Sequence, residues 1–303
     1  MRKNIRLLNW IFKFIPAKTA LKIHYRTITE RKLNLKKPQR FTEKIHFYKI
    51  NYKNNLMTVC ADKYKMREFI TKLGYHNYLS NIYQVLDRIE DLNVQLLPDK
   101  FVIKANNGSG TNIFISRKRD FNIKTVTKIT NKWSSVSTIN IGKEWAYKNI
   151  NKKIIVEEFI DDYEDGETCL RDYKVMCFHG EPKLVWVDIN RNSNHKRNFY
   201  DLEWNQIQVE SDKDMERNIL IEKPSRLDEM LSISKSISKF FPFSRIDFYY
   251  TKSKKLYIGE ITFYPWSGSV NFRPDSFDFE LGKLFDLNKL LHGNNIDNND
   301  FKY

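Results

Sequence analysis

The chain has 303 residues, 41% of them apolar and 14% aromatic, which suits one substantial hydrophobic core or two modest ones and excludes a disordered chain. Its net charge of +15 is unevenly placed: from Met1 to Asn55 there are 15 Lys and Arg against Glu30 and Glu43, a balance of +13, leaving +2 for the rest. Cys60, Cys169 and Cys177 fall at spacings of neither a CxxC pair nor a metal-ligand set, which excludes a disulfide framework and predicts free thiols in a reducing, cytoplasmic setting.

The basic leader comes first in chain order. Leu7, Trp10, Ile11, Phe12 and Phe14 interleave with Arg2, Lys3, Arg6 and Lys13, a pattern that fits a helix on a membrane surface and equally a helix docked on the core. Asn9 and Lys13 break the apolar stretch as a secretory signal, and no apolar run reaches the roughly 18 residues of a spanning helix. A lysine-rich surface attracts nucleic acid, anionic headgroups or an acidic polymer through one screened field, and it also serves as a plain solvated face. Residues 1–20 are therefore an expected peripheral contact with the membrane or the polymer.

Helical spacing continues through Phe41, Ile45 and Tyr48, with Thr42 as the expected cap, and a second helix is expected from about Asp62 to Leu73, stopping at Gly74. Beyond Pro98 the texture changes to short β-branched or aromatic runs between turn residues. Strands are expected at 101–105, 112–116, 153–160, 172–178, 182–189, 244–250 and 256–263. The turn His179-Gly180-Glu181-Pro182 makes a hairpin of the fourth and fifth, and the polar turn Thr251 to Lys255 makes one of the last two. A helix is expected over 227–240. The texture is α+β with mixed or antiparallel sheets.

Three clusters carry candidate chemistry. Lys104 ends a strand that opens into Ala105, Asn106, Asn107, Gly108, Ser109, Gly110 and Thr111. Small residues let backbone N–H groups approach an anion and the lysine adds a charge, although such a turn is also an ordinary hairpin. Asp247 and Glu260 lie one on each strand of the late hairpin in apolar surroundings. Carboxylates so placed need a partner, either Mg2+ or Arg245, and Thr262 faces the same side as Glu260. Glu157 and Glu158 end one strand while Asp172 and Lys174 open the next, which an exposed strand rim explains as well.

In this order the phrases PQRFTEKI (38–45), CADKYKMR (60–67), LPDKFVIKANNGSG (97–110), IIVEEFI (154–160), DYKVMCFHGEPK (172–183), SRIDFYY (244–250) and GEITFYPWSG (259–268) resemble the TupA-like family of the ATP-grasp superfamily, named for a protein of teichuronopeptide synthesis. The resemblance implies an ATP-grasp fold, two α+β lobes gripping the nucleotide over 61–155 and 156–303, and the basic, mainly helical N-terminal segment expected over 1–60 rests on charge and spacing instead. It implies ATP and Mg2+ as cofactors. Lys63 and Lys104 would contact the phosphates under the loop Asn106, Asn107, Gly108, Ser109 and Gly110. Glu157, Glu158, Phe159 and Ile160 would meet adenine, and Glu164 or Asp165 the ribose. Lys174 and Arg245, with Lys104, would serve catalysis, while Asp247 and Glu260 hold the metal. Thr262 stands where many relatives have Asn, which leaves the third ligand open.

The implied reaction is ADP-forming carboxylate–amine ligation through an acyl phosphate, joining an amino acid to a uronic acid of an acidic polysaccharide or its lipid-linked glycan precursor. Arg191, Lys196 and Arg197, in the polar stretch after the first hairpin, and Arg273 are the candidates for holding acidic substrate. Two rival functions remain. A glycosyltransferase would use the acids Asp161, Asp162 and Asp165, and a nucleic-acid-binding module would use Trp10, Phe12 or Phe14 for stacking, a partner the resemblance disfavours.

Overall fold

A computed structural model describes residues 12, 14–108, 110–133, 142–191, 195–211 and 220–292. The described strands form two sheets in which every pairing is antiparallel, with helices around them, so the α+β expectation holds. The first sheet contains β1 (Ile82–Leu86), β2 (Phe101–Ala105), β3 (Asn112–Ile115) and β4 (Ile154–Glu158) in the order β1-β4-β2-β3. Phe101 and Ile103 join Val156, Ile89, Leu97 and Val126 in a small core under the helix Ile123–Trp133. Strand periodicity then turns Val102 and Lys104 to the opposite face, across from Glu157 and Phe114.

The second sheet holds β5 (Arg171–Phe178), β6 (Glu181–Ile189), β7 (Lys196–Tyr200), β8 (Gln206–Ile207), β9 (Phe243–Tyr250) and β10 (Leu256–Thr262) in the order β10-β9-β5-β6-β7-β8. β5 and β6 form the expected hairpin; His179 and Gly180 take φ of 51° and 83°, the left-handed pair that matches strand twist in a tight turn. β9 and β10 form the other. The helix Leu227–Ser238 buries Met230, Ile233 and Ile237 against this sheet, and the Cys177 Sγ lies 3.9 Å from the Ser234 carbonyl. Cys177 and its alternate neighbours Val175 and Tyr173 thus face the helix, which sends Asp172 and Lys174 out of the other face.

Three local expectations are corrected. The second N-terminal helix begins at Met66, not Asp62: the Asp62 carboxylate accepts the N–H groups of Tyr64 and Lys65 at 2.9 and 3.3 Å, folding 62–65 into a turn. Thr42 is inside the helix Phe41–Asn51 and does not cap it, because its hydroxyl donates to Asp278 at 2.8 Å while Glu43 accepts the Arg40 N–H at 3.2 Å. The stretch containing Lys196 and Arg197 is strand β7, held by burial of Phe199 and Tyr200.

In the basic segment the helix Ala17–Thr29 buries Ala20, Leu21 and Tyr25 on one side. Phe12 is buried and its carbonyl accepts from Lys143 at 2.6 Å, whereas Phe14 is 68% exposed. Leu7, Trp10 and Ile11 lie outside the described residues. No helix among the described residues is long and apolar enough to cross a membrane. Cys60 and Cys177 are buried free thiols, and Cys169 is a partly buried one.

The helix Ser276–Leu284 crosses the chain at Gln39 so closely that a Cβ on Gly282 would stand 2.0 Å from the Gln39 carbonyl oxygen. Gly282→Ala is expected to destabilise the fold by about 1–3 kcal/mol, read as a lower midpoint in urea at unchanged slope.

Candidate active site

Directly opposed residues of antiparallel strands share a face, so the register alone assembles the polar surface of the second sheet. Glu260 opposes Asp247 and Thr262 opposes Arg245; Asp247 in turn opposes Lys174. Asp172 opposes Asp188, and Asp188 opposes Arg197. One irregularity is decisive. The register slips between Ile258 and Glu260, a bulge at Gly259, so Ile258 pairs with Phe248 on the apolar side while Glu260 is turned over to Asp247. A Cβ at Gly259 would stand 2.9 Å from the Tyr249 ring, so only glycine sits there without displacing that ring.

Asp172, Lys174, Asp188 and Asp247 are withdrawn from water, while Glu260 keeps about a third of its side chain exposed. Arg245 grips Asp247 as a fork, Nε to Oδ1 at 2.6 Å and Nη2 to Oδ2 at 2.5 Å. The same Nη2 lies 3.3 Å from Glu260 Oε1 and 3.1 Å from Thr262 Oγ1, so one cationic nitrogen occupies the centre of three oxygens from the expected metal set. Lys174 is ion-paired with Asp172 and lies 3.3 Å from Asp188 and 3.8 Å from Asp247. Arg197 donates to Asp188 at 2.6 Å, His195 Nε2 lies 3.0 Å from the same carboxylate, and Arg191 donates to Asp172 at 2.6 Å.

The electrostatics follow from that packing. Burial pushes the Asp247 carboxyl up to about 7 against the pull of Arg245 and Lys174. Burial works the same way on Glu260 and Asp188, but there the cations win: Lys63, Arg245 and Lys174 hold Glu260 below the usual carboxylate range, and Lys174 and Arg197 hold Asp188 well below it. Burial alone would lower Arg245, yet Asp247 and Glu260 keep it firmly charged.

The first sheet faces this surface with Lys104, ion-paired to Glu157, and with Phe114, an exposed ring 5.6 Å from Phe159. Lys63 joins the two sheets. Its backbone N–H donates to Asn106 at 2.9 Å, its Nζ donates to the Gly108 carbonyl at 2.6 Å, and the same Nζ lies 3.4 Å from Glu260. Gly108 and Gly110 take φ of 87° and 69°, with open space where a side chain would be, as a loop close to a ligand requires. Between the sheets lies a cleft of about 750 Å3 bounded by Asn107, Gly108, Arg245, Glu260, Thr262 and Trp266.

The expected site residues divide accordingly. Lys63, Asn107, Gly108, Arg245, Glu260 and Thr262 converge on the cleft or its mouth, with Lys104 and Glu157 on the facing sheet and Lys174 and Asp247 on the polar face. Ser109 lies outside the described residues. Asn106 is a staple at the loop base, bonded to the backbone of Asn151 and Lys153 at 2.8 Å each. Glu158 alternates away from Glu157 and accepts from Asn81 at 3.0 Å. Phe159, Ile160 and Glu164 lie in a partly buried connection whose Asp162 carbonyl and carboxylate accept from the Lys252 and Ser253 N–H groups at 3.1 and 2.9 Å.

Arg191 and Arg197 belong to the polar face, and Lys196 starts β7 beside them. Arg273 is 64% exposed at a second cavity of about 1100 Å3 that also touches His195 and Arg31. Asp161 and Asp165 are ion-paired with Lys100 and Lys252.

Sequence reasoning missed Asp188, His195 and the pair Trp186 and Trp266. His195 is a partner of Asp188. Alternation within β6 marks Trp186 and Asp188 as same-face neighbours, which was the available signal. Trp266 stacks on Trp186 with centroids 4.6 Å apart, and the Arg245 guanidinium lies 5.0 Å above Trp186.

Lys174→Met would strand Asp172, Asp188 and Asp247 without their shared cation, at an expected cost of about 3–5 kcal/mol in denaturant. In that variant Asp247, which burial already pushes up, loses one of the cations that pull it down and binds its proton more readily folded than unfolded, so the deficit should shrink as pH falls from 7 toward 5.

The family model described as TupA-like ATPgrasp matches residues 43–286. Solved structures similar to the chain include D-alanine–D-alanine ligase from Bacillus anthracis, at 16% identity over 77% of this chain and 68% of that one, TM-score 0.45. The same ligase complexed with ATP is 16% identical over 67% of this chain and 56% of that one, TM-score 0.39. N5-carboxyaminoimidazole synthase from Aspergillus clavatus, in complex with ADP and 5-aminoimidazole ribonucleotide, is 11% identical over 68% of this chain and 44% of that one, TM-score 0.39. The chain thus spans less than two thirds of the length of the second and third. Curated protein sequences give no match. The family match runs through both sheets and well over half the sequence, and by it the chain belongs to the TupA-like ATPgrasp family, with the ATP-grasp fold.

Proposed function

We propose that the chain is an ATP-dependent carboxylate–amine ligase whose lobes, 61–155 and 156–303, close on Mg-ATP. The observation that carries this reading is one nitrogen, Arg245 Nη2, seated among Asp247, Glu260 and Thr262 beneath a small-residue loop tethered by Lys63. The three oxygens suit Mg2+, a hard cation that takes oxygen ligands and retains waters, so Asp247, Glu260 and Thr262 are the residues that would hold it. ATP with magnesium would supply a phosphoryl group and charge neutralisation, turning a carboxylate into an acyl phosphate that an amine converts to an amide.

Protein residues then need only position and neutralise. Lys63 and Lys104 take the phosphates with backbone N–H groups of the loop Asn106, Asn107, Gly108, Ser109 and Gly110. Glu157, Phe159 and Ile160 line the base, with Glu158 a support from behind and Glu164 toward the ribose. Arg245 and Lys174 stabilise charge developing on the transferred group, where preorganised cations are worth most.

For the acceptor we propose an amino acid amine and a uronic acid of a surface polysaccharide or its lipid-linked precursor, held by Arg191, Lys196, Arg197 or Arg273. The leader's balance of +13 supports peripheral contact of residues 1–20 with membrane or polymer at the cytoplasmic face.

Calorimetry with Mg-ATP should show binding in the wild type, at least tenfold weaker binding in Lys104→Ala, about 1.4 kcal/mol or more, and no turnover in a folded Glu260→Ala. A wild type giving neither heat nor thermal stabilisation with Mg-ATP would end this reading. Deletion of residues 1–20 should reduce sedimentation with anionic vesicles; unchanged sedimentation would remove the contact.

A further inference from the structure

The turn that follows the β10 carboxylate is held in an unfavourable backbone form, and its tether is a lysine outside the cleft. Trp266 and Ser267 take φ of 49° and 51°, and Gly268 takes 68°. Two successive non-glycine residues in the left-handed region persist only where the surroundings impose them. The turn lies at the cleft wall: Tyr264, Pro265, Trp266 and Ser267 border the cleft, while Ser269 borders the second cavity.

The helix Phe41–Asn51 supplies the imposition. Lys49 is buried, and its Nζ donates to the Ser267 carbonyl, the Ser267 hydroxyl and the Gly142 carbonyl at 2.9 Å each, with Glu144 at 3.7 Å. One turn earlier, His46 Nε2 lies 3.1 Å from the Ser269 hydroxyl, and a Cβ at Gly268 would stand 2.9 Å from Ile45. Glu144 also borders the cleft, so the one ammonium grips two of its walls. An ammonium removed from water is costly unless its donors are met, and burial lowers Lys49 to about 8. Its position is explained by what it holds: three acceptors on Gly142 and Ser267, whereas Lys63 reaches Gly108 and Glu260 and Lys104 pairs with Glu157.

We propose that Lys49 is a positioning residue that locks the Trp266 to Gly268 turn in its left-handed form and thereby sets the acceptor-side wall of the cleft, with the nucleotide side unaffected. The naming of that side rests on the ligase reading; the locking of the turn does not.

The test is near-ultraviolet circular dichroism of the full chain, with the contribution of the Trp186–Trp266 stack assigned by Trp266→Phe. Lys49→Met is expected to lose at least half of that contribution and to keep its Mg-ATP affinity within threefold by calorimetry. Ser267→Gly in the Lys49→Met background is expected to restore the signal, because glycine adopts the left-handed form without a tether. If Lys49→Met does not fold, Ser267→Ala, which removes one acceptor, takes its place and should lose part of the same signal.

An unchanged stack signal in the variant would overturn the proposal, as would a tenfold loss of Mg-ATP affinity alongside it. A wild type that fails to bind Mg-ATP would remove the ligase reading and leave the dichroism to decide the locking of the turn.

Discussion

Ionised groups taken out of water must find partners, and on the polar face of the six-stranded sheet that requirement fixes nearly everything else. Asp172, Asp188 and Asp247 are buried around Lys174, and Asp247 shares Arg245 with Glu260. Removing one member costs several kcal/mol because the others stay behind uncompensated, so the cluster behaves as a unit. The sheet can present such a face because its other side is apolar and sealed by the helix Leu227–Ser238. The Gly259 bulge then places one more carboxylate on the charged side than regular alternation allows.

On the ligase reading proposed above, the same balance would give the site two states of charge. With Arg245 among Asp247, Glu260 and Thr262, the surface is neutralised internally and the cleft stands open to Asn107 and Gly108. A divalent ion on those oxygens would release the guanidinium toward an anionic group in the cleft, without any change of fold. Lys63 reports on both sides, holding the loop at Gly108 and the carboxylate at Glu260. The left-handed turn beyond Thr262 adds a strained wall, with each such non-glycine residue costing about 1–3 kcal/mol, offset by Lys49.

Features expressed within a few residues were legible in the sequence. The β5–β6 hairpin follows from alternation and the His179-Gly180 turn, and Lys104 with its loop follows from a β-run ending in small residues. Asp247 and Glu260 stood out as carboxylates in apolar strands, and Arg245 as one of the two partners such carboxylates could take. What escaped depends on distance. β7 reads as polar because Lys196 and Arg197 precede the buried Phe199 and Tyr200, and only its pairing with β6 explains it. Lys49 carries no local signal of its role, since its three acceptors lie far along the chain at Gly142 and Ser267. Thr42 failed as a cap because Asp278, 236 residues away, competes for its hydroxyl.

Whether the charged face, the loop after Lys104 and Lys63 form one Mg-ATP site is decided by a crystal structure with Mg2+ and a non-hydrolysable ATP analogue. The terminal phosphates are expected between Lys63, Lys104 and the loop at Gly108, with the metal on Asp247 and Glu260 and Arg245 moved off them onto phosphate. Phosphates bound elsewhere, or a metal-free complex with Arg245 still clasping Asp247, would refute a single Mg-ATP site.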